Sequence, residues 1–239
     1  MDHVNNNSKP VIFLGSSAVM YYLTEVCELL NIKVAGIIDQ DYWGNTSHVC
    51  DVPVINSEDI FNNVDLLNAY CQDYHFFCAT NWTPENLPSS IRNRHKRNHL
   101  LGLIKQHALP CISIVDPRAR VSRHATVGHG VFIDANVEVG PRSCIEDFSN
   151  IYSNAYIGPY VHIGSNSVIQ RSCFITDGSQ IEHDCYFGLC AKALKTGARF
   201  GAGTFVHEAV YIRRGTVQNE TVGMDGANMK RVVPYPIVV

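Results

Sequence analysis

Long apolar runs are absent from this sequence of 239 residues, and none approaches the ~20 residues that a membrane-spanning helix needs. Its first ten residues, MDHVNNNSKP, lack the basic-then-apolar layout of a secretory signal, so we expect a cytoplasmic protein without a membrane span. An excess of positive charge is also absent, because 19 Lys and Arg face 22 Asp and Glu. Nucleic acid is therefore not an expected partner.

The cysteines lack the pattern of a metal site or of a disulfide framework. There are nine of them, an odd number, and no pair has the CxxC spacing. We expect them to be small buried side chains in a reducing compartment, and we expect no bound metal. Apolar residues, by contrast, are plentiful at 46%, with 17% charged, so the chain can bury a sizeable core.

The first part of the chain follows the order of a Rossmann-like nucleotide-binding unit. The apolar run 10–15 predicts a buried strand, a helical pattern covers about 19–30, and the run 33–38 predicts a second strand that ends at Asp39. Small residues after the first strand let the backbone approach a phosphate, and a carboxylate after the second can reach a sugar hydroxyl or a base. The candidate ligand-binding residues are Gly15, Ser16, Ser17, Asp39 and Asp41.

This turn has one glycine instead of the three of GxGxxG, so three interpretations stay open. They are a mononucleotide or nucleotide-sugar site, a structural turn and, least favoured, a nicotinamide cofactor site. Further along, strands are predicted at 52–55 and 75–80 with a polar helical segment between them. A helix over 90–107 carries a basic patch, Arg92 to Arg97, that is either solvated or phosphate-binding. Residues 1–9 are predicted to be a loose tail.

A six-residue repeat fills the second part of the chain. Bulky apolar residues recur at twelve consecutive positions six apart, namely Val121, Val127, Ile133, Val139, Ile145, Ile151, Ile157, Ile163, Ile169, Ile175, Ile181 and Phe187. Two residues before each of them stands a small residue, and glycine often follows. This period predicts a parallel β-helix in which the bulky residues fill the axis and residues 18 apart stack at the ~4.8 Å strand spacing.

The repeat has one break and one end. After Ala193 the apolar positions, Phe200, Val206 and Ile212, are displaced by one residue, which predicts an outward loop over 194–199. Past Val222 the repeat stops, and we expect an irregular segment that caps the open coil. The predicted domains are therefore 1–112, Rossmann-like, and 113–239, a β-helix.

With these motifs in place, the chain resembles the hexapeptide-repeat acyltransferases, most closely the family of sialic-acid O-acetyltransferases and nucleotide-aminosugar N-acetyltransferases. VIFLGSS, IIDQD and VDPRARVSRHATVG stand at that family's first turn, second strand and helix entry, and IEHDC (181–185) matches its most diagnostic motif. The resemblance implies that domain 1–112 binds a nucleotide-sugar and that domain 113–239 is a left-handed β-helix with acyltransferase activity. It also implies a homotrimer with acetyl-CoA between neighbouring β-helices. The implied acceptor is a nucleotide-linked aminosugar or a sialic-acid-like sugar in surface-glycan (polysaccharide) biosynthesis.

The resemblance also assigns the chemistry. It makes His183 the general base and Asp184 its acidic partner, with Glu182 as the alternative partner. From the residues alone, an outward histidine in a β-helix is more often an ordinary surface residue. An imidazole, with a reference pKa of about 6.5, can accept a proton at neutral pH. Residues expected to bind CoA come late in the repeat region. They are Lys192, Gly201, Arg213 and Arg214, with Lys195, Lys230 and Arg231 as further basic candidates. The alternative interpretation of each basic side chain is an ordinary solvated surface charge.

A second hypothesis is a non-catalytic trimer that binds a nucleotide-sugar or acts as a scaffold. Val19, Asp116 and Lys192 stand where the family often has histidine, and a chain that has lost activity would show such changes. The sequence leaves open N- or O-acylation, the acyl group, and the nucleotide.

Overall fold

A computed structural model of the chain describes residues 9–17, 19–80, 88–225 and 228–232. The chain divides into two compact units, 1–114 and 115–239. The predicted boundary lies two residues earlier, and the role predicted for each unit stays a prediction. Most of the predicted loose tail lies outside the described residues. Within these residues, no helix is long and apolar enough to cross a membrane.

The first unit contains a five-stranded sheet with helices in the connections. Its strands are β1 (Val11–Leu14), β2 (Val34–Ile38), β3 (His48–Val49), β4 (Val52–Asn56) and β5 (His75–Cys78), in the order β3-β4-β2-β1-β5. All neighbours are parallel except β3 and β4. The short strand β3 is absent from the sequence-based prediction, because two residues give too little periodicity to detect.

The helices of this unit lie close to their predicted places. They are α1 (Met20–Leu29), a 3-10 helix (Glu58–Asn62), α2 (Val64–Asp73) and α3 (Pro88–Gln106). The side chain of Asn63 accepts a hydrogen bond from the backbone of Leu66, which fixes the start of α2. The start of α1, at Val19, has no such side-chain cap.

Strand β1 lies between β2 and β5, and all four of its residues are fully buried. The chain passes from β1 to β2 on one side and later to β5 on the other, so the order of strands reverses at β1. In parallel sheets, the crevice beyond the carboxyl ends of the strands at such a reversal is where ligands bind. The topology therefore places the turn after β1 at the sheet edge suited to a ligand.

The second unit is the predicted parallel β-helix. Each coil has three short strands and three corners, and the strands stack into three faces. The first face consists of Arg120–Val121, Glu138–Val139, Tyr156–Ile157, Phe174–Ile175, Lys192–Ala193 and Tyr211–Ile212. The second face consists of Thr126–Val127, Cys144–Ile145, His162–Ile163, Gln180–Ile181 and Arg199–Phe200. The third face consists of Ile114–Val115, Phe132–Ile133, Asn150–Ile151, Val168–Ile169, Tyr186–Phe187, Phe205–Val206, Thr221–Asp225 and Asn228–Val232.

The register of this unit is the predicted 18-residue stack. Ile145 pairs with Ile163, and Ile163 with Ile181, and the same spacing holds on the other faces until the break. The bulky hexad residues from Ile133 onward are 0–2% exposed, and the small residues two positions earlier are buried beside them. The predicted left-handed β-helix after a Rossmann-like unit is confirmed.

The corners depend on left-handed backbone at their last residue. In the corner between the second and third faces this column is Gly130, Phe148, Asn166, Asp184 and Gly203, with φ of 55–68°. Asn, Asp and Gly tolerate this conformation best, which explains their recurrence in the repeat. Side chains in one column lie directly above one another in successive coils.

The break and the end of the repeat are shorter and more ordered than predicted. The outward loop is confined to residues 194–197, because Ala198 is again buried and Arg199–Phe200 is again a strand. Past Val222 the chain forms an antiparallel hairpin, Thr221–Asp225 with Asn228–Val232, instead of an irregular segment. Pairing gives the last parallel strand a hydrogen-bonded neighbour, which the repeat pattern alone does not reveal.

Candidate functional site

His183 occupies the corner that follows the strand Gln180–Ile181. Ile181 points to the axis and is fully buried, whereas the His183 side chain two residues later is 58% exposed. The backbone of this corner is fixed from both sides, since Asp184 N–H donates to the Ser165 carbonyl and Gly203 N–H donates to the His183 carbonyl, each at 3.0 Å. A rigid corner thus presents the imidazole to solvent.

A carboxylate holds this imidazole in place. Nδ1 of His183 lies 2.7 Å from Oδ2 of Asp184, so in the neutral ring Nδ1–H donates and Nε2 keeps its lone pair. Oδ1 of Asp184 accepts a hydrogen bond from the side-chain amide of Asn166, also at 2.7 Å. The arrangement is a histidine–carboxylate pair of the kind that orients a general base.

Glu182, the alternative partner, is used elsewhere. Its Oε2 accepts a hydrogen bond from the backbone N–H of Ala202 at 3.0 Å. It therefore ties its own coil to the next one, and Asp184 is the carboxylate in contact with His183.

The residues predicted to bind CoA are divided between two parts of the β-helix. Gly201 begins the corner one coil beyond His183, and its carbonyl accepts from the thiol of Cys185 at 3.3 Å. Lys192 is on the first face instead, with Nζ 5.3 Å from the centre of the Tyr211 ring, and exposed Arg213 follows the last strand of that face. Within one chain, Gly201 therefore lies in the corner stacked on that of His183, whereas Lys192 and Arg213 belong to the first face.

Two of these residues have structural contacts that the sequence does not show. Arg214 donates to both carboxylate oxygens of Glu220, which is 2% exposed. A Cβ at Gly201 would lie 2.5 Å from the backbone nitrogen of Gln218, so glycine is needed there for close packing. Lys195 is exposed in the loop 194–197, and the side chains of Lys230 and Arg231 lie outside the described residues.

In the first unit, the predicted turn residues form a connected edge of the sheet. Gly15 has φ +69°, and a Cβ there would lie 2.5 Å from the Thr80 side chain just beyond β5. Ser16 Oγ donates to Asp39 Oδ2 at 2.6 Å, and Ser17 Oγ donates to the carbonyl of Ala79 at 2.7 Å. The turn after β1 is thereby attached to the ends of both neighbouring strands.

The two predicted aspartates differ in their surroundings. Asp39 is fully buried, and its oxygens accept from Ser16, from Lys96 Nζ at 2.6 Å and from the backbone of Asp41 at 3.0 Å. The carboxylate of Asp41 is 41% exposed and accepts from the same Lys96 at 2.7 Å. Burial is the largest single contribution and lowers the pKa of Lys96. The hydrogen bonds to the two carboxylates together outweigh burial, so the pKa of Lys96 is raised above its usual value. Asp39 therefore anchors the turn, and Asp41 is the carboxylate that faces solvent.

The predicted basic patch separates into groups with different roles. Lys96 bridges the two aspartates, whereas Arg97 is 1% exposed and donates to the Thr80 carbonyl at 2.6 Å. The side chain of Arg92 lies outside the described residues. The patch is thus partly an internal support of the sheet edge instead of a wholly solvated helix face.

At two of the three positions where the resemblance implies histidine, the side chains present make contacts of their own. Asp116 is fully buried and accepts hydrogen bonds from the backbone and guanidinium of Arg118, which lower the pKa of its carboxyl group. Val19 is the residue just before α1, and its side chain makes no capping hydrogen bond. Lys192 lies over the ring of Tyr211.

Sequence reasoning missed Lys96 and Asn166 as site residues. Lys96 is 57 residues from Asp39, and no local pattern connects them. Asn166 had a detectable signal, because it stands one 18-residue coil before Asp184. Tyr42 and Trp43 are exposed in the turn after Asp41 and carry no motif. They border the candidate site of the first unit, which is formed by Ser16, Asp39, Asp41 and Lys96.

All nine cysteines are free, but the expectation that they are buried holds for four of them only. The buried ones are Cys27, Cys78, Cys173 and Cys185, whereas Cys190 is exposed and the other four are half-buried. Burial raises the pKa of Cys173 and of Cys185 to about 12, so these thiols stay protonated and unreactive near neutral pH. Among the described residues, no three His, Cys, Asp or Glu side chains converge as metal ligands would.

Comparisons with known proteins identify the repeat and the fold. Residues 136–171 match the model described as bacterial transferase hexapeptide (six repeats). The bifunctional protein GlmU of Koribacter versatilis (strain Ellin345) is 39% identical over 75 residues, which are 31% of this chain and 15% of that protein. The chain thus spans only a small part of this curated relative.

Two of the solved structures that resemble nearly the whole chain are acetyltransferases. One is a histidine-to-asparagine variant of perosamine N-acetyltransferase from Caulobacter crescentus, in complex with CoA and GDP-perosamine, with a TM-score of 0.77, 20% identity and coverage of 94% of this chain and 97% of that one. The other is the acetyltransferase domain of PglB from Neisseria gonorrhoeae FA1090, with a TM-score of 0.77, 16% identity and coverage of 94% and 100%. The predicted resemblance to hexapeptide-repeat acyltransferases is confirmed at the level of repeat and fold.

Proposed function

We propose that this protein is an acetyl-CoA-dependent acetyltransferase that acylates the amino group of a nucleotide-linked aminosugar. The observation that carries the proposal is the exposed His183–Asp184 pair on a corner of the β-helix. The fold shared with perosamine N-acetyltransferase, solved with CoA and GDP-perosamine, supports this donor and acceptor. The same likeness favours N-acetylation over O-acetylation.

In the proposed reaction, the sugar amine attacks the thioester carbonyl carbon of acetyl-CoA. As the C–N bond forms, Nε2 of His183 accepts the proton of the amine, and the Asp184 carboxylate at Nδ1 stabilises the resulting imidazolium. The tetrahedral intermediate then collapses, the C–S bond breaks, and the sulfur of CoA takes the proton from His183. The products are the N-acetylated sugar and CoA with a free thiol.

The first unit would hold the nucleotide portion of the acceptor. Backbone N–H groups after Gly15, at the uncapped start of α1, suit a phosphate, and exposed Asp41 suits a ribose or base. Asp39 and Lys96 would keep Asp41 and Ser16 in position through their hydrogen bonds.

A homotrimer and a cytoplasmic location complete the proposal. The flat outer faces of a β-helix favour association, and separation of Lys192 and Arg213 from His183 in one chain is consistent with a CoA site that uses residues of neighbouring copies. Sedimentation velocity tests the trimer directly, and a stable monomer at micromolar concentration would contradict it.

The decisive experiment follows CoA release with acetyl-CoA and a panel of nucleotide-linked aminosugars, with free sialic acid as the hydroxyl acceptor. We expect turnover with at least one nucleotide-linked amine and none with the same sugar lacking its amino group. A folded protein that binds a nucleotide-sugar by calorimetry but releases no CoA with any acceptor would overturn the proposal. That result would favour the non-catalytic binding trimer.

A further inference from the structure

We propose that Asn166 is a positioning residue for the general base, acting through Asp184. This inference rests on the proposed function, because it assumes that His183 takes the proton from the acceptor. Asn166, Asp184 and His183 form a continuous hydrogen-bonded chain that begins in one coil and ends in the next.

The geometry of the chain is set by the coil stacking. Asn166 and Asp184 occupy the last position of the same corner in successive coils, with φ of 55° and 58°. Asp184 N–H donates to the Ser165 carbonyl at 3.0 Å, which fixes the separation of the two corners. The Asn166 amide then reaches Asp184 Oδ1 at 2.7 Å.

This contact leaves one carboxylate oxygen for the histidine. With Oδ1 bonded to the Asn166 amide, Oδ2 is directed to Nδ1 of His183 at 2.7 Å. A carboxylate held in one rotamer keeps the imidazole in the tautomer with a free Nε2 and lies where it stabilises the imidazolium. Without the amide, Asp184, which is one third exposed, is free to turn toward water.

Asn166 is unlike an ordinary corner asparagine in what it contacts. Asn136 and Asn154 form a similar pair in another corner, where Asn136 Nδ2 donates to Asn154 Oδ1 at 3.4 Å, again one coil apart. Both also have left-handed φ, 58° and 61°, and both are exposed. This pair ends without a carboxylate or a histidine, so it is a matched control for corner geometry alone.

The test compares Asn166→Gly with Asn136→Gly in the full-length protein. Glycine keeps the left-handed backbone without strain, so each variant loses only its side chain. For Asn166→Gly we expect kcat to fall about 10-fold, the effect of a lost hydrogen bond to a charged group, with KM for donor and acceptor unchanged. The acidic limb of the pH–rate profile should move to lower pH, since a loosened Asp184 stabilises the imidazolium less. Asn136→Gly should change neither property.

Two further measurements separate positioning from mere structure. In an Asp184→Asn background, Asn166→Gly should cause little additional loss, because the path through the carboxylate is already broken. The titration of the His183 imidazole, followed by NMR and assigned with His183→Gln, should have its midpoint at lower pH in Asn166→Gly than in wild type. An unchanged midpoint, or additive losses in the double variant, would overturn the proposal. The NMR titration needs no turnover, so it tests Asn166 even if the proposed acetyl transfer fails.

Discussion

The two units of this protein build their candidate sites from the chain in opposite ways. In the β-helix, the site residues are neighbours in sequence or stand one coil apart, as His183, Asp184 and Asn166 do. In the first unit, Ser16, Asp39 and Lys96 meet across 23 and 57 residues. The β-helix site is thus a product of the repeat, whereas the first-unit site exists only when distant segments pack.

Because of this difference, we expect the two units to differ in how well their site residues tolerate substitution. An outward corner residue of the β-helix makes few buried packing contacts, so its side chain can be substituted without loss of the fold. In the first unit, the residues that form the site also hold the sheet edge together, so function and stability are coupled. Variants in each unit test this contrast.

The largest effect is expected at His183. His183→Ala should lower kcat ~10²–10⁴-fold, the usual contribution of positioned proton transfer, and leave stability nearly unchanged because the side chain is exposed. Asp184→Asn should lower kcat less, since Asp184 orients the base. Steady-state kinetics with the active acceptor measures both.

His129→Ala is the control for this substitution. His129 is exposed and occupies the same corner position three coils earlier, without an aspartate after it. Wild-type turnover in His183→Ala would refute the assignment of the base, and His162, paired with Glu146 at 2.7 Å, would be tested next, followed by His207.

Substitution of Ile181, two residues from His183, should lower the stability of the protein, whereas substitution of His183 should lower its catalytic rate. Ile181 is fully buried on the axis, and Ile181→Ala should cost ~2–5 kcal/mol in free energy of unfolding through lost burial and a cavity. Gln180→Ala, on the outward side of the same strand, should cost ~1 kcal/mol or less. Denaturant unfolding measures both, and equal losses would contradict the inward–outward alternation.

In the first unit, we compare alanine substitutions at two glycines, one at the candidate site and one at an exposed position of a helix. Gly15→Ala should destabilise by ~1–3 kcal/mol and weaken nucleotide-sugar binding, because φ is +69° and the added Cβ would meet Thr80 at 2.5 Å. Gly102→Ala in α3 meets no atom within 4 Å and should stabilise the protein by ~0.5–1 kcal/mol. Calorimetry of unfolding and of ligand binding tests both. A Gly15→Ala protein with wild-type stability would show that the turn can relax.

The last effect concerns the pH dependence of stability. Burial raises the pKa of Cys173 and Cys185 in the β-helix, and of Cys27 in the first unit, to about 12 from a reference value of 9.0. In the unfolded chain the thiols ionise at lower pH than in the folded chain. Their contribution to stability is therefore fully present below pH 9 and is lost as the pH rises toward 12. At pH 10, ionisation of each thiol in the unfolded chain should lower the free energy of unfolding by about 1 kcal/mol relative to pH 8.

Cys173→Ala isolates this contribution, and half-buried Cys144→Ala, in the same β-helix, is the control. The free energy of unfolding should fall less between pH 8 and pH 10 in Cys173→Ala than in wild type, and equally in Cys144→Ala and wild type. Identical pH dependence in all three proteins would show that Cys173 ionises without unfolding.

The success of sequence reasoning follows the same division between units. The strand Gln180–Ile181, its inward Ile181 and the outward His183 were all predictable, because a six-residue period fixes which way each side chain points. The terminal hairpin and the strand His48–Val49 were not, since neither carries a repeat or a sustained alternation. Asp184 could not be chosen over Glu182 until the hydrogen bond of Glu182 to Ala202 was known.

The sequence by itself determined the β-helix, its axis and the corner that presents His183, because each hexad repeats the same local information and one coil specifies the next. Tertiary structure alone decided that Asp39 is enclosed while Asp41 faces solvent, and that Lys96 joins them. Those contacts depend on where α3 packs against the sheet edge. Such packing is set by the shape and charge of surfaces that form only when distant segments fold together, so no local pattern encodes it.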